Sequence, residues 1–473
     1  MAAPSPNRTT LIPQLRPRAL IMIGLLLSTL LPSFLSARAL AAACPNMDAL
    51  RVSGAEQQKI ACLDDLTTPS LISSGHTVLA DWSGLNAAGT INPTGVAGLQ
   101  IDGYFPDTST ANPFNGWNHD AQFVIRLPNE WNGKLIVTGS PGVRGQYAMD
   151  FLLSDWALAR GYAFAATDKG NTGVTFYRDG ATPGDALAEW NARVKELTIA
   201  AQDVVRQRYG HKPRYTYMTG ISNGGYLTRY ALENNQQLFD GGVDWEGTPF
   251  FENGTNLLTL LPPMLKYYPQ YAATHSPAAR DALLATGLSP ESEFLWQFHY
   301  LIYWDLTQRI YREEFDPDYD GALEADVPFC ASGSPNCDAD YDYASRPQTV
   351  KDAVAKVELT GKIKRPMITL HGSLDTFLPQ TTTSDVYAQM IRDAQRERLH
   401  RYYVVEDGNH VDSFYNFFPT QLRPMLPCYR AAFEALEQWV EQNPAHANEP
   451  PASGVIARPA SGDLVNSCAL DTH

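Results

Sequence analysis

The sequence predicts an α/β protein built on a doubly wound, mostly parallel sheet, and three observations predict it. Apolar strand-like runs alternate with stretches of helical period along most of the chain. Residues 220–225, Gly-Ile-Ser-Asn-Gly-Gly, stand at a junction between one such run and a helical one. Two later runs end in turns that carry an acid and then a histidine. Strand–helix alternation places helices on both faces of a parallel sheet.

The expected strands are 121–127, 134–138, 162–167, 215–219, 242–245, 367–371 and 401–405. Between them, 192–208 is helical, because Val194, Leu197, Ala200, Ala201, Val204 and Val205 recur on one face; 429–442 is a second helix near the end. From 250 to 345 the alternation stops and aromatic and acidic residues dominate, among them Phe294, Trp296, Phe298, Tyr303, Trp304 and Tyr311. This insertion falls between the strands at 242–245 and 367–371, where a lid would overhang the junction at 220–225. Its aromatics serve either a substrate pocket or, for most of them, the insertion's own core. The expected organisation is an export segment at 1–43, a core at 44–249 and 346–445 split by the insertion at 250–345, and an irregular tail at 446–473.

Residues 1–43 contain no acid, carry Arg8, Arg16 and Arg18, and run apolar before Ala39-Leu40-Ala41-Ala42-Ala43. That is the pattern of a cleavable signal peptide, with an apolar run shorter than the ~20 residues of a spanning helix. Cys44 follows directly, so lipidation there is the minor alternative to a secreted or periplasmic product. The even set Cys44, Cys62, Cys330, Cys337, Cys428 and Cys468 points instead to disulfides in an oxidising compartment. Pairing 44 with 62, 330 with 337 and 428 with 468 would close a short loop and tie down both ends, although spacing alone does not fix it. None has the C-x-x-C spacing of zinc or redox sites. With 44% hydrophobic and 18% charged residues the chain is of globular composition, and a formal net charge of −15 disfavours nucleic acid and anionic membranes as partners.

A strand, a sharp Gly-x-Ser-x-Gly turn and a helix make a nucleophile elbow, in which small residues relieve backbone crowding while Ser222 projects above the helix N-terminus. A serine hydroxyl needs a histidine to accept its proton and a carboxylate to orient that histidine. In α/β-hydrolases they follow in the order Ser, acid, His. Asp375, in the turn after 366–371, and His410, in the turn after 402–405, meet that order at the same end of the sheet. His371 reads as a structural hydrogen-bonding residue, Glu246 as a competing acid with a poorer turn context, and Asp407 as a shaper of its own turn. The oxyanion donors are expected at the backbone of Asn223 and in the loop 139–142, at Ser140 or Gly142, since Pro141 has no N–H. Arg144 and Lys169, placed after core strands, are candidates for a substrate carboxylate.

These residues resemble the secreted α/β-hydrolases that include tannases, feruloyl esterases and 3-hydroxybutyrate-oligomer hydrolases. The resemblance runs over 134–251 and 366–414, through Gly161-Tyr162-Ala163-Phe164-Ala165-Ala166-Thr167-Asp168-Lys169-Gly170 and through 209–225. Thr167-Asp168-Lys169-Gly170 and Ser222-Asn223-Gly224-Gly225 are closer in pattern to the oligomer hydrolases, Phe239-Asp240-Gly241-Gly242 and the insertion to tannases. Ile221 and Val411 stand where the tannase pattern has a cysteine pair beside the nucleophile and the histidine. The resemblance implies a serine carboxylic ester hydrolase acting on small esters or oligoesters, hydroxyalkanoate or aromatic, with no cofactor required for catalysis. Tannase or feruloyl esterase activity proper, a serine peptidase of the same fold and a non-catalytic binding protein are the rivals. It also implies a structural calcium in the insertion, for which Asp316, Asp318 and Asp320, alternating before Gly321, are the candidate ligands; a solvated acidic turn is the alternative.

Overall fold

The computed structural model describes Cys44 and residues 47–319, 338–441 and 450–471. The expected export segment, Asp320, Cys330 and Cys337 lie outside the described residues. Ten strands form one sheet: β1 (Gln57–Leu63), β2 (Gly98–Tyr104), β3 (Gln122–Pro128), β4 (Lys134–Gly139), β5 (Ala163–Thr167), β6 (Tyr215–Ile221), β7 (Gly241–Trp245), β8 (Met367–Gly372), β9 (His400–Val405) and β10 (Gly454–Ile456). Their order is β1-β2-β3-β5-β4-β6-β7-β8-β9-β10. The pairs from β1 to β5 through β2 and β3 are antiparallel, and every pair from β5 through β4 to β10 is parallel. All seven expected strands are present within one or two residues of their expected ends.

Alternation along the strands divides the core between the two faces. Leu135 and Val137 of β4 and Ala163 and Ala165 of β5 join one apolar cluster with Trp190, Val194, Leu197, Ala201 and Val204 of the helix Asp185–Tyr209. Ile136 of β4 and Phe164 and Ala166 of β5 join the other, with Tyr429, Phe433 and Leu436 of the helix Leu426–Glu441. Because both faces are covered, β4, β5, β7 and β8 are buried along their whole length. With a nucleophile-elbow strand–helix junction at β6, this is the α/β-hydrolase fold.

Three strands were not expected from the sequence. β2 alternates Leu99 and Ile101 with Gln100 and Asp102, and those polar side chains are buried too, satisfied by Arg126 and Tyr147. Such partners come from distant segments, so the local pattern does not announce them. β1 is only partly buried, and β10 is a three-residue addition to β9 made by the tail that was expected to be irregular. Disulfides join Cys44 to Cys62 and Cys428 to Cys468, the second anchoring that tail. No helix among the described residues is long and apolar enough to cross a membrane.

Between β7 and β8 lie the helices Leu257–Thr274, Pro277–Leu284, Glu293–His299, Asp305–Phe315 and Gln348–Ala355. Asn256 starts the first with a reciprocal capping box to Thr259. Trp296, Trp304 and Tyr311 are buried and make core contacts of the insertion, whereas Phe298 is 42% exposed. Trp304 also donates its indole N–H to the carbonyl of Thr376 at 2.9 Å, tying the insertion to the turn that bears Asp375.

Candidate active site

Ser222 has φ 59° and ψ −117°, a conformation that L-residues adopt only when the surroundings impose it. Its N–H donates to the Trp245 carbonyl at 2.9 Å, and its carbonyl accepts from Tyr226 and Thr248 at 2.9 and 3.2 Å. The flanking glycines make this turn possible. A Cβ on Gly220 would stand 2.6 Å from the Gly224 backbone, and one on Gly224 would stand 2.6 Å from the Gly139 carbonyl oxygen. The helix Asn223–Asn234 starts directly after the serine, which puts Ser222 at the N-terminus of a helix whose first-turn N–H groups have no partner within the helix.

His410 Nδ1 lies 2.8 Å from Asp375 Oδ2, both side chains being almost wholly buried. Asp375 is fixed by its own turn, its Oδ1 accepting from the N–H groups of Phe377 and Leu378 at 2.7 and 3.0 Å. Phe377 packs its ring 4.9 Å from His410 and stacks 3.8 Å from Tyr303 of the insertion. Burial alone would raise Asp375, but His410 and His371 outweigh it and hold the carboxyl well below its ordinary value. Burial would lower His410, and the charge and hydrogen bond of Asp375, joined by Glu246, push it up to about 10. With Nδ1 committed to the acid, Nε2 is the nitrogen left to take a proton.

Glu246, the competing acid, also faces the histidine. Its Oε2 lies 3.1 Å from the same His410 Nδ1, and its Oε1 accepts from the Gly372 N–H at 2.6 Å. The signal was a buried-position acid at the end of a strand adjoining the nucleophile's own; only the fold shows that it faces the histidine. His371 has the structural place expected of it. Its Nδ1 meets Ser384 Oγ at 2.7 Å and its Nε2 the Leu378 carbonyl at 2.8 Å, while Ser384 Oγ accepts from Arg229, which pairs with Asp244 at 2.6 Å. Sequence also gave no sign of His299, whose Nδ1 pairs with Thr376 Oγ1 and whose ring packs 4.2 Å from Phe377.

The loop after β4 corrects one expectation. The Ser140 N–H donates to the Thr167 carbonyl at 3.1 Å as a continuation of the sheet, so it is not free for an oxyanion. Gly142, exposed and at φ 52°, is the remaining candidate of the pair. It is tied to the elbow by its carbonyl, which accepts from Asn223 Nδ2 at 2.9 Å. The same Nδ2 donates to Tyr311 Oη at 2.8 Å, and Asn223 Oδ1 accepts from Thr248 at 2.8 Å. Asn223 thus clamps elbow, loop and insertion together.

The two basic candidates both have partners within the protein. Lys169 has 0% exposure, donates to Ser140 Oγ at 2.5 Å and lies over the Trp190 ring; burial lowers it to about 8. Arg144 donates to the Asp81 carbonyl at 2.6 Å, bracing the loop. The calcium ligands do not fit as expected either. Asp316 pairs with Arg346 at 2.5 Å and accepts from Tyr341 at 2.9 Å, so a guanidinium already occupies the carboxylate that a cation would need. Asp318 stands alone of the proposed set, because Asp320 lies outside the described residues.

Residues 108–244, which include Ser222, match the family model described as tannase and feruloyl esterase, and residues 321–472, which include Asp375 and His410, match that of the 3HB-oligomer hydrolases. A probable feruloyl esterase B-2 of Aspergillus flavus is 30% identical over 121 residues, 25% of this chain and 22% of that protein. An uncharacterized esterase of Xanthomonas campestris pv. campestris is 28% identical over 130 residues, 25% of this chain and 21% of that one. The matched stretches thus span about a fifth of the length of these curated relatives. Among solved structures, feruloyl esterase B from Aspergillus oryzae aligns over 85% of this chain and 90% of its own at 14% identity, with a TM-score of 0.49. Ile221 and Val411, at the positions of the expected cysteine pair, are instead in one apolar cluster. The chain has the α/β-hydrolase fold and resembles the tannase and feruloyl esterase family in its first half and the 3HB-oligomer hydrolases in its second.

Proposed function

We propose that the chain is an exported serine carboxylic ester hydrolase working through an acyl-enzyme. The observation that carries this reading is the 2.8 Å contact of His410 Nδ1 with Asp375, at the same end of the sheet as a serine held at φ 59°. His410 Nε2 takes the hydroxyl proton as Ser222 Oγ bonds to the ester carbonyl carbon. The carbonyl oxygen, now negative, accepts from the backbone of Asn223 and Gly142. The intermediate collapses by breaking the bond to the alcohol oxygen, which leaves with the proton from His410. Water then repeats the sequence on the acyl-enzyme and releases the acid.

Small hydroxyacid oligoesters and aromatic esters are the substrate classes, supported by the two family matches. The aromatic insertion beside the histidine, through Tyr303 and Phe377, supplies an apolar wall for them. The disulfides at Cys44 and Cys428 support export to an oxidising compartment. A panel of hydroxybutyrate oligomers, gallates, feruloyl esters and terephthalate monoesters, each beside its matched amide, tests the reading by kcat/KM. Turnover of at least one ester class with matched amides slower by ~10²-fold or more is the expected result. Comparable amide turnover would make the chain a peptidase.

A further inference from the structure

Two carboxylates, not one, face the proton-bearing nitrogen of His410. We propose that Glu246 is a positioning residue for His410: it shares the Nδ1–H with Asp375 and holds the imidazole in the working tautomer when Asp375 is lost. The proposal rests on the esterase reading above and deepens it.

The geometry is specific. Glu246 directly follows β7 at φ 52°, a left-handed conformation that a glutamate adopts only where its surroundings hold it. Its N–H donates to the Leu370 carbonyl at 3.0 Å, Oε1 accepts from Gly372 at 2.6 Å, and Oε2 accepts from Trp245 Nε1 at 3.2 Å. These anchors come from β7 and β8, whereas His410 comes from the turn after β9. The remaining contact, Oε2 to His410 Nδ1 at 3.1 Å, is only slightly longer than the 2.8 Å contact of Asp375. A carboxyl needed only to accept from Gly372 and Trp245 would gain nothing from lying at 0% exposure against the histidine, where burial and the charge of Asp375 both raise its pKa.

The groups facing this pair are His410 from the turn after β9, Asp375 from the turn after β8, His371 at the end of β8, and His299 from the insertion. Asp412, just past His410, also feels the charge of Glu246. His371 Nε2 lies 3.4 Å from Asp375 Oδ2, and the charge of His371 acts on Glu246 as well, so both carboxylates stand between the two histidines.

Glu246→Gln keeps the length and one accepting oxygen while removing the charge. Asp375→Asn, Glu246→Gln and the double variant are compared by kcat/KM, with Ser222→Ala as the floor and thermal melts to confirm folding. Loss of a lone triad acid costs roughly 10⁴-fold. Here Asp375→Asn is expected to cost only about 10²-fold, and adding Glu246→Gln to bring the double variant down by a further ~10²-fold. Glu246→Gln alone should cost less than about tenfold and move both the acidic limb of kcat/KM and the NMR titration of labelled His410 to lower pH, a shift that a merely structural role would not produce. Should Glu246→Gln fail to fold, Glu246→Asp keeps the charge but shortens the reach and should lower the activity of Asp375→Asn in the same way. Asp375→Asn already at the floor, or a double variant no worse than Asp375→Asn with the titration unmoved, would overturn the assignment of Glu246 alone. A Ser222→Ala protein as active as the wild type would overturn the esterase reading and this proposal together.

Discussion

The Ser222 side and the His410 side of the candidate site are held by different means. Ser222 owes its position to backbone crowding within six residues and to one neighbouring strand: Gly220 against Gly224, and Gly224 against Gly139. His410 owes its position to side chains from the turns after β7 and β8, Glu246, Asp375 and Phe377, the last stacked in turn on Tyr303 of the insertion. Asp244 to Thr369 spans 125 residues, Glu246 to Gly372 spans 126, and Arg229 to Ser384 spans 155. A local backbone device leaves a compact residue pattern in the sequence; a polar network assembled across the sheet leaves scattered acids and histidines with no mutual spacing to read.

Substitutions on the two sides should separate chemistry from scaffolding. Ser222→Ala should lower kcat by ~10⁵-fold or more while leaving the thermal midpoint nearly unchanged, because it removes the nucleophile and no packing. Arg229→Ala strands Asp244 in a fully buried position and should cost about 3–5 kcal/mol in urea unfolding. If it costs under about 1 kcal/mol, the long-range network does not support the acid turn. Gly224→Ala sets a methyl 2.6 Å from the Gly139 carbonyl oxygen and should cost about 1–3 kcal/mol together with a large loss of kcat. A fully active Gly224→Ala protein would show that the elbow tolerates relaxation and erase the contrast.

The pH profile probes the acid–base side alone. His410 must be neutral to act as base, and its carboxylate neighbours favour the charged form, so kcat/KM should still be rising well above pH 7, beyond the ordinary histidine value of about 6.5. A plateau reached below pH 6 would place His410 outside the influence of Asp375 and Glu246. The smallest effect is expected of Tyr311→Phe, which removes the hydroxyl that accepts from Asn223. About 1 kcal/mol, seen as a several-fold rise in KM with kcat little changed, is the expected outcome of loosening the insertion from the elbow.

The sequence made the elbow, the central strands and the order of Ser222, Asp375 and His410 legible, since each lies in a short run whose period or turn chemistry is self-contained. It did not reveal β2, because Gln100 and Asp102 are buried polar residues whose partners, Arg126 and Tyr147, lie in other segments. Lys169 and Arg144 drew attention by their positions after strands, yet burial and carbonyl oxygens claim them, which position alone does not disclose. Ser140 was lost to a sheet hydrogen bond for the same reason. Glu246 shows the limit most clearly: its turn looked ordinary, and only the parallel pairing of β7 with β8 sets its carboxyl against His410.

Covalent labelling with a fluorophosphonate, read by intact mass and peptide mapping, tests the central claim most directly. One adduct per chain, located on Ser222 and absent from Ser222→Ala, is the predicted result. An adduct on another residue, or labelling that persists in Ser222→Ala, would contradict it.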